Sequence, residues 1–414
     1  MSNKLRIFFA MTATYKNIIP QLVCISLLLA LSIDIYLPAL PDIAKLLHAT
    51  QAQTQMTISV FIAGFSVGQL IYGPLSDIFG RKPILLLGLS IYLLGSLICF
   101  IAPSIYMLMT GRLIQGVGAC VGPITAFAMI RDIYQKENCA RNISYITTSM
   151  SFSPIVAPIL GSYLQYWLGW RSHFLFLSFI DVILIITTLK WLPETVIKNN
   201  NTKNIILSIK NYASILSNKK YWLYIVCLTG ASSMLFSFIA FAPFLFINTL
   251  QLSTKQFSLL FAMNAVALIL GGSITVKLTK NWNTEKIILI AGIIGLVGGC
   301  SMLILSLSGM VSILMICPMF ICSISIAMTV PSSIAGAINY FPACAGSASA
   351  MASFLRYTGA STIIFITGFI HVTNHLLLSQ ILVVSSLCIL SACFCLTLKL
   401  SIITSKEKIN FDNA

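Results

Sequence analysis

Gly73-Pro74-Leu75-Ser76-Asp77-Ile78-Phe79-Gly80-Arg81-Lys82 is a short polar turn between two apolar runs, and the residues on either side of it decide the fold. The run before it, 54–74, and the run after it, 84–102, are each long enough to cross the ~30 Å hydrocarbon layer of a bilayer as a helix. Asp77 lies close to a helix start, where free N–H groups favour an anion, and Arg81 is placed to hold it. Working outward, further runs of spanning length fall at 19–40, 105–129, 144–166, 173–193, 221–247, 257–276, 287–307, 310–332, 346–370 and 376–398. Of the 414 residues, 58% are hydrophobic and 8% charged, against roughly a quarter charged in soluble domains. No water-soluble core hides that much apolar surface, so the length divides into spans rather than soluble domains.

The net charge of +15 does not mark a nucleic-acid binder, because the basic residues sit in the gaps between apolar runs and not on one polar face. With the N-terminus inside, the inner loops hold 20 of the 25 Lys and Arg. The outer loops hold three, Lys45, Arg171 and Lys255, and Arg112 and Arg356 lie within spans. That bias places both termini in the cytoplasm. Lys4, Arg6 and Lys16 flank and interrupt the short apolar stretch 7–13, which reads as a cytoplasmic lead-in and not as a cleaved signal. The longest polar interval, with Lys198, Lys203, Lys210, Lys219 and Lys220, divides the chain into residues 1–195, a central cytoplasmic loop 196–220, and residues 221–414.

Twelve cysteines are scattered, most of them inside apolar runs, which fits neither a disulfide framework nor a zinc site. Cys393 and Cys395 diverge on a helix, so no metal and no cofactor is expected. Catalytic motifs of the H-E-x-x-H, G-x-S-x-G and G-x-x-x-x-G-K-[ST] kinds are absent, which argues against an enzyme or an ATP-driven pump.

The 73–82 loop, with Gly73, Asp77, Gly80, Arg81 and Lys82, resembles the signature loop of the major facilitator superfamily. Asp34-Ile35-Tyr36-Leu37-Pro38-Ala39-Leu40-Pro41, Arg112-Leu113-Ile114-Gln115-Gly116-Val117-Gly118 and Pro154-Ile155-Val156-Ala157-Pro158-Ile159-Leu160-Gly161 resemble its twelve-span drug:proton antiporters. Arg131-Asp132, Gly169-Trp170-Arg171, Leu192-Pro193-Glu194-Thr195 and the 345–350 stretch look like the Bcr/CflA multidrug-efflux subfamily. Two features depart from the pattern: Ser153 and Ser162 stand where small glycines are often found, and Arg356 lies mid-span. The resemblance implies an all-α integral membrane fold of twelve transmembrane helices in two pseudo-symmetric six-helix bundles. It implies a proton-coupled exporter of small organic molecules in a bacterial inner membrane, working as a monomer without nucleic acid. It also implies that Asp77 latches the cytoplasmic ends of the bundles, with Arg131 and Asp132 as partners.

Charges held at membrane depth are costly and mark function, and Asp34, Arg112, Asp181 and Arg356 qualify. Asp34 and Arg112 each fall roughly 10 Å below the outer surface, where they can face one cavity. Burial and a neighbouring guanidinium act on a carboxylate in opposite senses, and their balance sets whether a proton competes there with a substrate. The other reading is a static Asp34–Arg112 bridge, or an Asp34 wetted at the interface beside Pro38 and Pro41. Asp181 reads as a second proton site, or as an acid paired with Arg112 or with hydroxyls. Arg356 reads as a partner for either acid or as a contact for an anionic substrate group. Gln115, Gly116 and Gly118 belong to the span-four motif, while Pro154, Pro158 and Gly161 loosen span five or merely kink it. Tyr36, Phe65, Phe236, Phe241 and Tyr357 either line a site for amphiphilic compounds or pack the bundle. The same fold also admits a nutrient importer, a siderophore or metabolite exporter, or a membrane sensor.

Overall fold

The structure, a computed structural model, describes residues 18–134, 136–196, 212–370 and 374–412. The basic positions Lys4, Arg6, Lys16, Lys198, Lys203 and Lys210 lie outside them. Among the described residues twelve long helices follow one another: α1 (Ile18–Leu46), α2 (Gln51–Phe79), α3 (Arg81–Ile101), α4 (Ile105–Ile133), α5 (Lys136–Leu168), α6 (Arg171–Trp191), α7 (Lys219–Thr249), α8 (Thr254–Leu278), α9 (Thr284–Leu307), α10 (Ile313–Asn339), α11 (Ala345–Thr367) and α12 (His375–Thr397, within a helix that runs Asn374–Asp412). Eleven are long and apolar enough to cross a membrane. The exception is α11, whose 23 residues suit the thickness but carry Ser347, Ser349, Ser353, Arg356, Thr358, Ser361 and Thr362.

Helix starts are fixed locally. Ser104 caps α4 by accepting from the Met107 N–H, Asn218 caps α7 from Lys220 and Tyr221, and Ser253 with Gln256 forms a capping box on α8. α1 is interrupted after Asp34, where a 3₁₀ turn at Leu37–Ala39 precedes Leu40–Leu46. Pro38 and Pro41 remove backbone donors there. α5 stays helical through Pro154 and Pro158.

The chain forms two compact units, one of residues 1–39 and 60–204, the other of residues 40–59 and 205–414. Residues 51–59 of α2 belong to the second unit and make side-chain bonds within it. Gln55 Nε2 donates to the Ala240 carbonyl at 3.3 Å, and the Ser59 and Ser361 hydroxyls each donate to the other residue's carbonyl at 2.8 and 3.0 Å. The same pairings recur inside each unit. α1 packs on α5 and α3 on both α4 and α6 in the first, while α7 packs on α11 and α9 on both α10 and α12 in the second. An all-α fold of long apolar helices, with like pairings in its two units, agrees with the fold class expected from the sequence.

Candidate functional site

The first unit builds its polar centre where α1 breaks. Asp34, 4% exposed, ends the regular part of that helix, and Ser153 Oγ on α5 donates to its Oδ2 at 2.8 Å. The approach that allows this bond is close: a Cβ at Gly161, two turns further along α5, would overlap the Ile35 carbonyl oxygen. Serine at position 153, a departure from the family pattern, is therefore the residue that holds the acid.

Arg112 on α4 is fully buried. Its Nη1 donates to the Ser32 carbonyl at 3.0 Å and to Gln115 Oε1 at 2.6 Å, while Nε and Nη2 are enclosed without hydrogen-bond partners. The guanidinium carbon lies 4.1 Å from the ring centre of Phe61, 4.9 Å from Tyr36 and 6.0 Å from Phe174, so aromatic faces supply part of what water has lost. Gln115 is held in turn by Ser96, to whose Oγ its Nε2 donates at 2.8 Å, and the Tyr92 and Ser32 hydroxyls share a hydrogen bond. Side chains at Gly116 and Gly118 would strike the Phe61 carbonyl and the Tyr92 backbone nitrogen. Those two glycines therefore set the distance at which α4 carries its arginine to α2 and α3.

The static bridge considered for Asp34 and Arg112 is not formed. The two ion pairs among the described residues both involve Arg81, and Asp34 goes to Ser153. The two groups are nonetheless neighbours, because Arg112 bonds the carbonyl of Ser32, two residues before Asp34. Asp181 on α6 is fully buried and neither of its oxygens has a hydrogen-bond partner, so its pairing with Arg112 or with hydroxyls is not formed either. One unit thus encloses two carboxylates and a guanidinium at membrane depth, with unused bonding capacity on two of the three.

Between α2 and α3 of the same unit, the 73–82 turn is a charge cluster. Arg81 pairs with Asp77, its Nε donates to Asp132 Oδ2 at 3.0 Å, and its Nη1 donates to Ser76 Oγ at 2.7 Å. Asp77 occupies the end of α2 and not a helix start, which corrects the expectation from the sequence. The anion at the helix start is Glu194. Its carboxylate accepts from the backbone N–H groups of Arg81 at 2.9 Å and Lys82 at 3.1 Å, and from those of Thr195 and Val196. Gly80 has φ +101°, and a Cβ there would lie 2.5 Å from Glu194 Oε2, so glycine is required twice over. Lys82 donates to the Leu189 carbonyl. Arg131 is exposed and makes no polar contact, so of the two partners expected for Asp77 only Asp132 joins the cluster, and it does so through Arg81. A Cβ at Gly73 would meet open space.

The second unit is built differently. Arg356 is half-buried at the middle of α11; its Nη2 donates to the Tyr357 hydroxyl at 2.7 Å and its carbon lies 4.3 Å from that ring's centre. Phe236 on α7 packs on Tyr357 with centroids 5.8 Å apart. Phe241, Phe65 and Tyr36 are buried, the last against Arg112 and Phe174. An open hollow of about 650 Å³ in the first unit is lined by Pro20, Gln21, Cys24, Leu184, Thr187 and Trp191 among others. Its lining on α1, around Gln21, stands some 13 residues from Asp34, about 20 Å along the helix, while Leu184 of its lining on α6 follows Asp181 by one turn.

The sequence missed Phe61 and Phe174, which carry no signal separating them from other core phenylalanines. It noted Ser153 only as a departure and Glu194 only as part of a motif. A helix-by-helix search for hydroxyls facing each intramembrane charge is the signal that finds Ser153.

Comparison with known proteins completes the assignment. The family model described as the Major Facilitator Superfamily matches residues 22–364. An uncharacterized transporter of Rickettsia felis (strain ATCC VR-1525 / URRWXCal2) is 30% identical over 386 residues, covering 88% of this chain and 93% of the relative. A chloramphenicol resistance protein of Pseudomonas aeruginosa is 29% identical, over 78% of this chain and 77% of its own. Multidrug resistance protein D of Escherichia coli (strain K12) is 27% identical, over 84% and 87%. Among solved structures, a D-xylose-proton symporter superposes with a TM-score of 0.74 over 90% of this chain and 96% of the other, and at 14% identity this likeness speaks for the fold alone. The chain belongs to the Major Facilitator Superfamily and is a multi-pass membrane transporter.

Proposed function

We propose that this transporter exports small organic molecules in exchange for protons, with Asp34 as the proton carrier and Arg112 and Asp181 as the groups that set its affinity. The observation that carries the reading is the enclosure, in one six-helix unit, of two acids and a base at membrane depth without an ion pair between them. A buried charge with idle bonding capacity is costly to keep and is retained where a partner comes and goes. Here the partners are a proton and a substrate competing for one centre. The relatives named for chloramphenicol and multidrug resistance support the outward direction.

In this account the six-helix units alternate access to a midplane site, and the Asp77–Arg81–Asp132 cluster, with Glu194 seated on the start of α3, latches the cytoplasmic side. Each proton entering releases about 2.3 kcal/mol per 100 mV of membrane potential, which drives a molecule outward against its gradient. In this reading the protein is a monomer in a bacterial inner membrane with both termini in the cytoplasm, an orientation supported by the excess of basic residues in the loops assigned to the inside.

The test is reconstitution in liposomes with an imposed pH gradient, following compound-induced proton release from the lumen across a panel that includes chloramphenicol. The wild type releases protons with a transported compound and Asp34→Asn does not. Coupled export by that variant at the wild-type rate rejects the assignment, and accumulation down the proton gradient in the same direction as the proton rejects antiport.

A further inference from the structure

We propose that the Arg356–Tyr357–Phe236 cluster of the second unit is a binding site for an organic anion, a carboxylate or sulfonate carried on an aromatic body. The proposal rests on the transport reading above only in that the ligand is a small organic molecule, and it names the chemical class.

Arg356 stands eleven residues from each end of α11, about 16 Å by helix rise, so it is far from either aqueous face along its own helix. α11 is also the one long helix too polar to count as an apolar span, as suits a helix facing something other than lipid. No carboxylate pairs with Arg356 among the described residues, and within α7–α12, from Lys219 to Thr397, it is the single charged side chain more than two residues from a helix end. The acid of those helices, Glu285, lies in the first turn of α9 and accepts a hydrogen bond from the Tyr224 hydroxyl.

No carboxylate among the described residues of α7–α12 pairs with this cation, and a bound anion would offset its cost at that depth. Its Nε is enclosed without a partner while Nη2 is fixed by Tyr357, so the planar fork is oriented but only partly used. A fork of this kind matches a carboxylate or sulfonate geometrically, which a lysine does not. The rings of Tyr357 and Phe236, packed 5.8 Å apart beside it, offer faces and edges to an aromatic body. Exchange of an outgoing monoanion for an incoming proton moves two elementary charges in the direction the membrane potential favours.

The experiment is isothermal titration of the full chain in nanodiscs of phosphatidylcholine alone, so that no anionic lipid competes. The probes are naphthoate, naphthamide and naphthylmethylamine, which share one ring system and differ in charge. The wild type is expected to bind naphthoate at least about tenfold tighter than naphthamide, the scale of one charge-assisted hydrogen bond. Arg356→Gln binds the two equally, Arg356→Lys keeps part of the preference, and Tyr357→Phe loses several-fold in naphthoate affinity because the fork is no longer held. Absence of a naphthoate preference in the wild type overturns the proposal. So does a full preference in Arg356→Gln, which leaves the residue a structural cation–π contact. Should Arg356→Gln not fold, the Lys and Phe variants decide by the same comparison. The preference is expected to persist in Asp34→Asn, so loss of proton coupling there and loss of anion preference at Arg356 are separate results.

Discussion

Among the described residues, the membrane-depth interior of the first unit carries Asp34, Arg112 and Asp181 and that of the second Arg356 alone, although the helices of the two are paired in the same way. The two arginines differ as well. Arg112 is fully buried under three aromatic rings with Gln115 and the Ser32 carbonyl on one nitrogen, whereas Arg356 is half-buried on a single tyrosine. A shared helical plan thus carries two chemistries. One unit encloses two carboxylates and a guanidinium, to which we assign proton exchange, and the other a fixed cation beside aromatic rings. Symmetry of the backbone tells nothing about which unit does which work, because packing depends on small residues and spacing while chemistry depends on a handful of polar side chains.

The largest effect is expected at Arg112. Arg112→Ala strands Gln115 and the Ser32 carbonyl and empties an aromatic cage, so transport falls to the liposome background and the melting temperature in detergent drops by several degrees. Arg112→Lys rescues little, because an ammonium cannot present the planar face that three rings enclose. Next come the glycines. Gly116→Ala forces a Cβ into the Phe61 carbonyl and is expected to cost about 1–3 kcal/mol, whereas Gly346→Ala in the second unit meets open space and stays within about 0.5 kcal/mol, both read by thermal melting. Equal melting of the two variants breaks the picture of tight α2–α4 approach.

A smaller effect is expected at Ser153. Loss of its bond to Asp34 in Ser153→Ala lowers coupled transport by roughly 10- to 100-fold, in keeping with about 1.5–3 kcal/mol for a hydrogen bond to a charged group, and Ser153→Thr retains most of it. Transport by Ser153→Ala at the wild-type rate shows that the acid needs no holder. The smallest is Glu194→Gln, which weakens the seat on the start of α3 by about 1 kcal/mol and lowers the melting temperature slightly without altering substrate affinity.

The helices were legible because a bilayer demands long apolar runs, and the family was legible because the 73–82 turn, the Arg112 motif and the α5 motif repeat a spacing. Placement of charges at membrane depth followed from counting residues. The partners did not follow. Of the readings open for Asp34 and Arg112, the static bridge is not formed: their bonds go to Ser153 and to the Ser32 carbonyl with Gln115, because which side of a helix meets which neighbour is set by packing over the whole unit. Asp77 was assigned a helix start that belongs to Glu194, 113 residues away from Arg81 in sequence, and no local pattern links the two. The cage of Phe61 and Phe174 was hidden for the same reason: apolar residues outnumber every other class in the chain, and their types do not say which cation they cover.

The central claim is that Asp34 gives up its proton as substrate binds. It is tested most directly by isothermal titration of the purified transporter with a transported compound in buffers of different ionisation enthalpy, which counts protons released on binding. The account predicts release of about one proton per bound molecule from the wild type and none from Asp34→Asn. Equal release from both proteins contradicts it.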